Sequence, residues 1–186
     1  HVYPQVDEAK IGIYYREPAQ LFQNLRNGTF RDISDQAGPA LKVPRVGRGL
    51  AIGDLFNDGL QEVVVENLEG QPVIFRPEGG PRAHWIGLEL AGVKDKLALN
   101  ARVRITAGDL IQTDEVRSSG SYLSQSDLRL HFGLAGHRTV ETVEIFWSSG
   151  AKESLTGLEA DRFYCIKEGS GSVPCASIRP AMAPPR

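Results

Sequence analysis

The sequence predicts an all-β chain, and three observations carry that. Apolar residues recur at period two in Ile86, Leu88, Leu90; Ala101, Val103, Ile105, Ala107; Leu128, Leu130, Phe132, Leu134; and Val143, Ile145, Trp147. Such alternation marks strands with one buried face. Glycine supplies 20 of 186 residues, above the usual share of about 7%, as turn-rich β structure requires. No segment holds a helical apolar period for long.

Composition narrows the class. Hydrophobic residues are 41% and charged residues 24%, which is ordinary for a globular chain and excludes a disordered one. The length predicts one to two domains at roughly 150 residues each. Lys+Arg 21 against Asp+Glu 23 leaves a net charge of -2, so there is no basic footprint for nucleic acid or an anionic surface. No apolar run approaches ~18 residues, which argues against membrane insertion. The chain starts at His1 and its only Met is Met182, which reads as a fragment or a processed product. Two cysteines, Cys165 and Cys175, make neither a zinc framework nor a disulfide-dense scaffold; one bridge across a short loop and a free pair both stay open.

The elements follow in order. Gln20–Asn24 and Thr29–Ser34 flank Asn27-Gly28, a hairpin signal. Asn27-Gly28-Thr29 also fits a glycosylation sequon, and the hairpin turn is the preferred reading. Gly49–Gly53, Glu62–Glu66 and Val73–Phe75 are further short strands. Arg76-Pro77-Glu78-Gly79-Gly80-Pro81 is a breaker cluster and places a domain boundary near residue 80. Beyond it come the alternating strands, with Ala107-Gly108-Asp109 as a hairpin turn into Leu110–Arg117, a stretch that alternates poorly. Trp147-Ser148-Ser149-Gly150 turns the chain into Ala151–Leu155, and Phe163–Lys167 is the last predicted strand. The organisation is 1–80, 81–169, and a Gly/Ser/Pro/Ala-rich tail, 170–186, predicted to be disordered.

One loop has metal-site spacing. Calcium takes six to eight oxygens, and a tight loop supplies them from alternate positions with a Gly at the bend. Asp54, Asp58 and Glu62 stand at positions one, five and nine, Gly59 at six, and the Leu60 carbonyl at seven. Position three is Phe56, which supplies no oxygen. The competing reading is a turn held by side-chain hydrogen bonds to its own backbone.

That loop lies in a wider pattern. Gly49-Leu50-Ala51-Ile52-Gly53-Asp54, Asn57-Asp58-Gly59 and Val63-Val64-Val65-Glu66-Asn67 resemble an FG-GAP/VCBS repeat, the integrin-type propeller blade. Leu21–Ser34 resembles the hairpin of that repeat. The resemblance implies calcium at Asp54, Asp58 and Glu62, with Phe56 departing from the pattern. His84-Trp85-Ile86-Gly87, Ala101–Gly108, Glu115–Ser126, Leu130-His131-Phe132-Gly133-Leu134 and Trp147-Ser148-Ser149-Gly150 resemble the ASPIC/UnbV domain, with Ser148 where that family's turn has Pro. The pairing is that of the cartilage acidic protein family and its bacterial relatives. It implies a partial propeller segment followed by a β-sandwich-like domain, with upstream blades missing and an exposed edge. It also implies a secreted, periplasmic or cell-surface setting.

The polar loop Arg117–Asp127 is the other candidate site. Arg117, Ser121, Tyr122, Ser124, Gln125 and Asp127 suit hydrogen bonding to a protein or glycan ligand. The structural alternative has Arg117 pairing with Asp127 or Glu115 while serines satisfy backbone groups. His84 and His131 face away from the apolar rows, and no histidine pair has zinc-ligand spacing. No nucleophile elbow is present, so no catalytic residue is assigned. The expected function is a non-enzymatic extracytoplasmic interaction or adhesion module. The alternatives are an accessory domain of a glycan-processing or biosynthetic enzyme, and a structural cap of the propeller.

Overall fold

Alternation of buried and exposed residues organises the second half of the chain. The computed structural model describes residues 3–79, 83–94 and 96–178. Its strands are β1 Phe22–Asn24, β2 Phe30–Asp32, β3 Gly47–Gly53, β4 Glu62–Asn67, β5 Val73–Phe75, β6 His84–Ala91, β7 Arg102–Ala107, β8 Leu110–Glu115, β9 Leu130–Ala135, β10 Thr139–Phe146, β11 Lys152–Glu159, β12 Arg162–Lys167 and β13 Gly171–Val173. Among the described residues only short 3-10 turns interrupt them, so the fold is all-β as the period-two pattern predicts. No helix among the described residues is long and apolar enough to cross a membrane.

Two four-stranded sheets, in the orders β11-β10-β7-β8 and β13-β12-β6-β9, form a sandwich. β6 pairs with β12 in parallel and with β9 antiparallel. The inward rows are Ile86 and Leu88 of β6, Val103 and Ile105 of β7, Phe132 and Leu134 of β9, Val143 and Ile145 of β10, and Ile166 of β12, all in one buried cluster. Each such side chain contributes about 1.5–3 kcal/mol when taken from water. The apolar face of each strand thus finds its partner in the opposite sheet.

Residues 3–79 are built without a core of that kind. β3-β4-β5 is a three-stranded antiparallel sheet, and β1-β2 is a separate hairpin. The register pairs Leu50 with Val65 and Ile52 with Val63, then Val63 with Phe75 and Val65 with Val73. These six side chains form an apolar patch on one face of the sheet, yet none of them is buried. The sheet has three strands where a propeller blade usually has four.

One correction concerns the C-terminal end, and one alternative left open is settled there. Residues 170–178 are not a loose tail: Gly171–Val173 adds to the sandwich as edge strand β13, with Val173 opposite Cys165. The two cysteines are joined, with Cα atoms 5.1 Å apart. A three-residue strand in a polar, glycine-rich segment has no period to read, and the covalent link holds it in register. Residues 179–186 of the predicted tail, and Gly80 and Pro81 of the breaker cluster, lie outside the described residues.

Closing a loop of this length removes chain entropy worth about 3 kcal/mol from the unfolded state. Replacing Cys165 and Cys175 together by Ala should lower the unfolding free energy by roughly 2–3 kcal/mol, read from urea denaturation of both forms.

Candidate functional site

The acidic loop sits between β3 and β4. Asp54 is 3% exposed and Glu62 0%, so both carboxylates need partners. Asp54 Oδ1 accepts the Asp58 N–H at 3.1 Å and Oδ2 accepts the Gly59 N–H at 2.8 Å. Asp58 Oδ1 accepts the Leu60 N–H at 3.2 Å, and Glu62 Oε2 accepts the Leu55 N–H at 2.9 Å. Arg76, the residue after β5, faces the other two oxygens: Nη2 is 2.7 Å from Asp58 Oδ2 and Nε is 3.6 Å from Glu62 Oε1. Its guanidinium carbon lies 4.3 Å from the centre of the Phe56 ring.

This donor set does not fit calcium. Four of the six carboxylate oxygens accept backbone N–H groups, and the remaining two face a guanidinium. Among the described residues no group of three or more His, Cys, Asp or Glu side chains is placed to hold a metal ion. Asp54, Asp58, Leu60 and Glu62 do come together, as the spacing predicts. They hold the turn by its own backbone.

The loop lies on the outer face of the β13-β12-β6-β9 sheet. Trp85 of β6, His131 of β9 and Phe163 of β12 point outward there, opposite the core rows. Trp85 stacks on His131 with ring centres 5.5 Å apart and meets Phe163 edge-on at 4.9 Å. Gly59, at φ +85°, lies against Trp85 so closely that an added Cβ would be 2.0 Å from the indole Nε1. The Gly59 carbonyl accepts the Nε2–H of His131 at 3.0 Å. Arg129 precedes β9 and donates to Asp127 Oδ2 at 2.7 Å, to the Asp54 carbonyl at 2.7 Å, and to Asn57 Oδ1. Its guanidinium carbon lies 4.4 Å from the Phe163 ring centre.

The Arg117–Asp127 loop turns onto the free edge of β3. Ser121 Oγ accepts the Leu50 N–H at 3.2 Å, and Ser126 Oγ accepts the Ile52 N–H at 3.1 Å. The Asp127 N–H donates to the Ile52 carbonyl at 2.8 Å. Gly49 admits this approach, since a Cβ there would meet Ser124 Oγ at 2.4 Å; Gly53 admits Asp127 in the same way.

Of the residues assigned to a ligand, Ser121 bonds the chain's own strand, Ser124 Oγ donates to the Tyr122 carbonyl at 2.9 Å, and Asp127 holds the strand through its N–H while its carboxylate accepts from Arg129. Arg117 pairs with Asp114 at 2.7 Å, not with Asp127 or Glu115. Tyr122 is exposed with Arg48 over its ring at 4.0 Å, and Gln125 is exposed. Trp85, His131, Arg129 and Ser126 are the interface residues that sequence reasoning did not assign. Part of their signal was glycine: Gly49 and Gly53 mark a strand that another segment approaches closely, and Gly59 lies against Trp85. A cleft of about 950 Å³ lies beside Arg129, lined by Asn57, Glu89, Lys96, Leu97, Lys167 and Ile178 among others.

Residues 92–173 match the family described as ASPIC and UnbV, so the chain carries an ASPIC/UnbV domain there. The sandwich extends beyond the match, because β6 is an inner strand of its sheet. No curated protein matches the chain.

Burial holds the His131 imidazole below its ordinary value of 6.5, against the raising influence of the Gly59 carbonyl and Asp54. A base with a lowered folded pKa stabilises the fold fully above its unfolded pKa, and that contribution is lost as pH falls toward the folded value. Stability should drop when pH falls from about 7.5 to about 5.5. His131→Gln should show a smaller drop, measured by urea denaturation at both pH values.

Proposed function

With an ASPIC/UnbV domain over residues 92–173, we propose that this chain is a non-enzymatic, extracytoplasmic interaction module. In it the domain caps the edge of a propeller-type sheet. One observation carries this reading: Ser121, Ser126 and Asp127 bond to Leu50 and Ile52 along the outer edge of β3. An unpaired edge is a template for unwanted strand addition. Serine hydroxyls satisfy its N–H groups without offering a further strand edge.

The cap leaves one large surface for a partner. The face of β3-β4-β5 carrying Leu50, Ile52, Val63, Val65, Val73 and Phe75 has no polar side chain among those six. That chemistry suits an apolar protein surface, such as another propeller-type sheet, and offers a glycan nothing to hydrogen-bond. The Cys165–Cys175 link is compatible with an oxidising, extracellular setting.

Ser121→Ala/Ser126→Ala removes two hydroxyl acceptors worth about 1 kcal/mol each. Amide hydrogen exchange at Leu50 and Ile52 should accelerate roughly tenfold, with the sandwich-core amides unchanged. Unchanged exchange at Leu50 and Ile52 would remove the capping role.

A further inference from the structure

We propose that the Asp54–Glu62 loop is a calcium-type loop in which the Arg76 guanidinium has taken over the role of the cation, so that the loop is set permanently without metal. The donor chemistry points there from two sides. Phe56 stands at position three, where a calcium loop needs an oxygen. The same ring lies 4.3 Å from the guanidinium carbon of Arg76, within the range of a cation–π contact. The residue that spoils the metal site is thus the residue that seats the replacement charge.

Arg76 also does electrostatically what an ion would. It bridges the loop's fifth and ninth positions, 2.7 Å from Asp58 Oδ2 and 3.6 Å from Glu62 Oε1. Glu62 Oε1 is buried and has no hydrogen-bond partner, so a fixed positive charge is what offsets it there. A guanidinium stays charged at every accessible pH and presents a planar fork, which a lysine ammonium does not. Unlike calcium, it cannot dissociate or be removed by a chelator. The loop's docking on Trp85, His131 and Arg129 is therefore independent of calcium concentration.

The test is thermal unfolding with and without calcium or chelator, beside calorimetric titration with calcium chloride alone. The wild-type chain should give no binding heat and the same Tm in millimolar calcium, the range of extracellular modules, as in chelator. Arg76→Met should lower the Tm by roughly 5–10 °C, because it strands a buried carboxylate. Phe56→Asp/Arg76→Ala restores the missing oxygen and removes the competing charge, so its Tm should rise with added calcium. Saturable calcium binding that raises the wild-type Tm would overturn the proposal. So would an Arg76→Met variant as stable as the wild type, or a folded double variant that stays silent at millimolar calcium.

Discussion

Arg129 cannot shed its charge and carries five N–H donors in a rigid fork. Its side chain is 17% exposed, so water satisfies little of that demand. The partners it needs come from both halves of the chain. Asp127 stands two residues away, whereas the Asp54 carbonyl and Asn57 come from the acidic loop more than seventy positions earlier. The Phe163 ring on β12 closes the other side. Only a chain with the acidic loop seated on the sandwich satisfies this residue, and the neighbouring contacts are arranged around that seat.

The remaining features follow from the same geometry. Bringing Asp127 to Arg129 lays the Ser121–Asp127 segment beside β3, where its hydroxyls and N–H meet the strand's free edge. β3 tolerates that approach because its positions 49 and 53 are glycines. Gly59 packs against Trp85, with its carbonyl accepting from His131, for a related reason: at φ +85° and with no room for a Cβ, no other residue fits. The interface is made of backbone hydrogen bonds, a guanidinium and ring faces. The aliphatic surface of the small sheet is left pointing elsewhere.

The sandwich was legible from single residues because each strand buries one face, and a buried face imposes period two. Ala101, Val103, Ile105 and Ala107 are all fully buried, which is the alternation read from the sequence. β8 was faint because its residues are mixed in exposure, and β13 was invisible because a covalent link supplies what side-chain pattern does not. The acidic loop was legible as a turn whose carboxylates converge on one site. Its partner Arg76 was not, because it stands on the far side of two strands, so Phe56 looked like a defect and not half of a pair. The serine loop was recognised as a hydrogen-bonding segment. Its target was missed because pairing between residues 50 and 121 leaves no local period.

Held at Arg129 and the β3 edge, residues 3–79 and the sandwich should unfold as one cooperative unit. Differential scanning calorimetry of the intact chain tests it most directly. A single transition with equal calorimetric and van't Hoff enthalpies is the predicted result. Two separated transitions, with the smaller unchanged by Arg129→Ala, would contradict it.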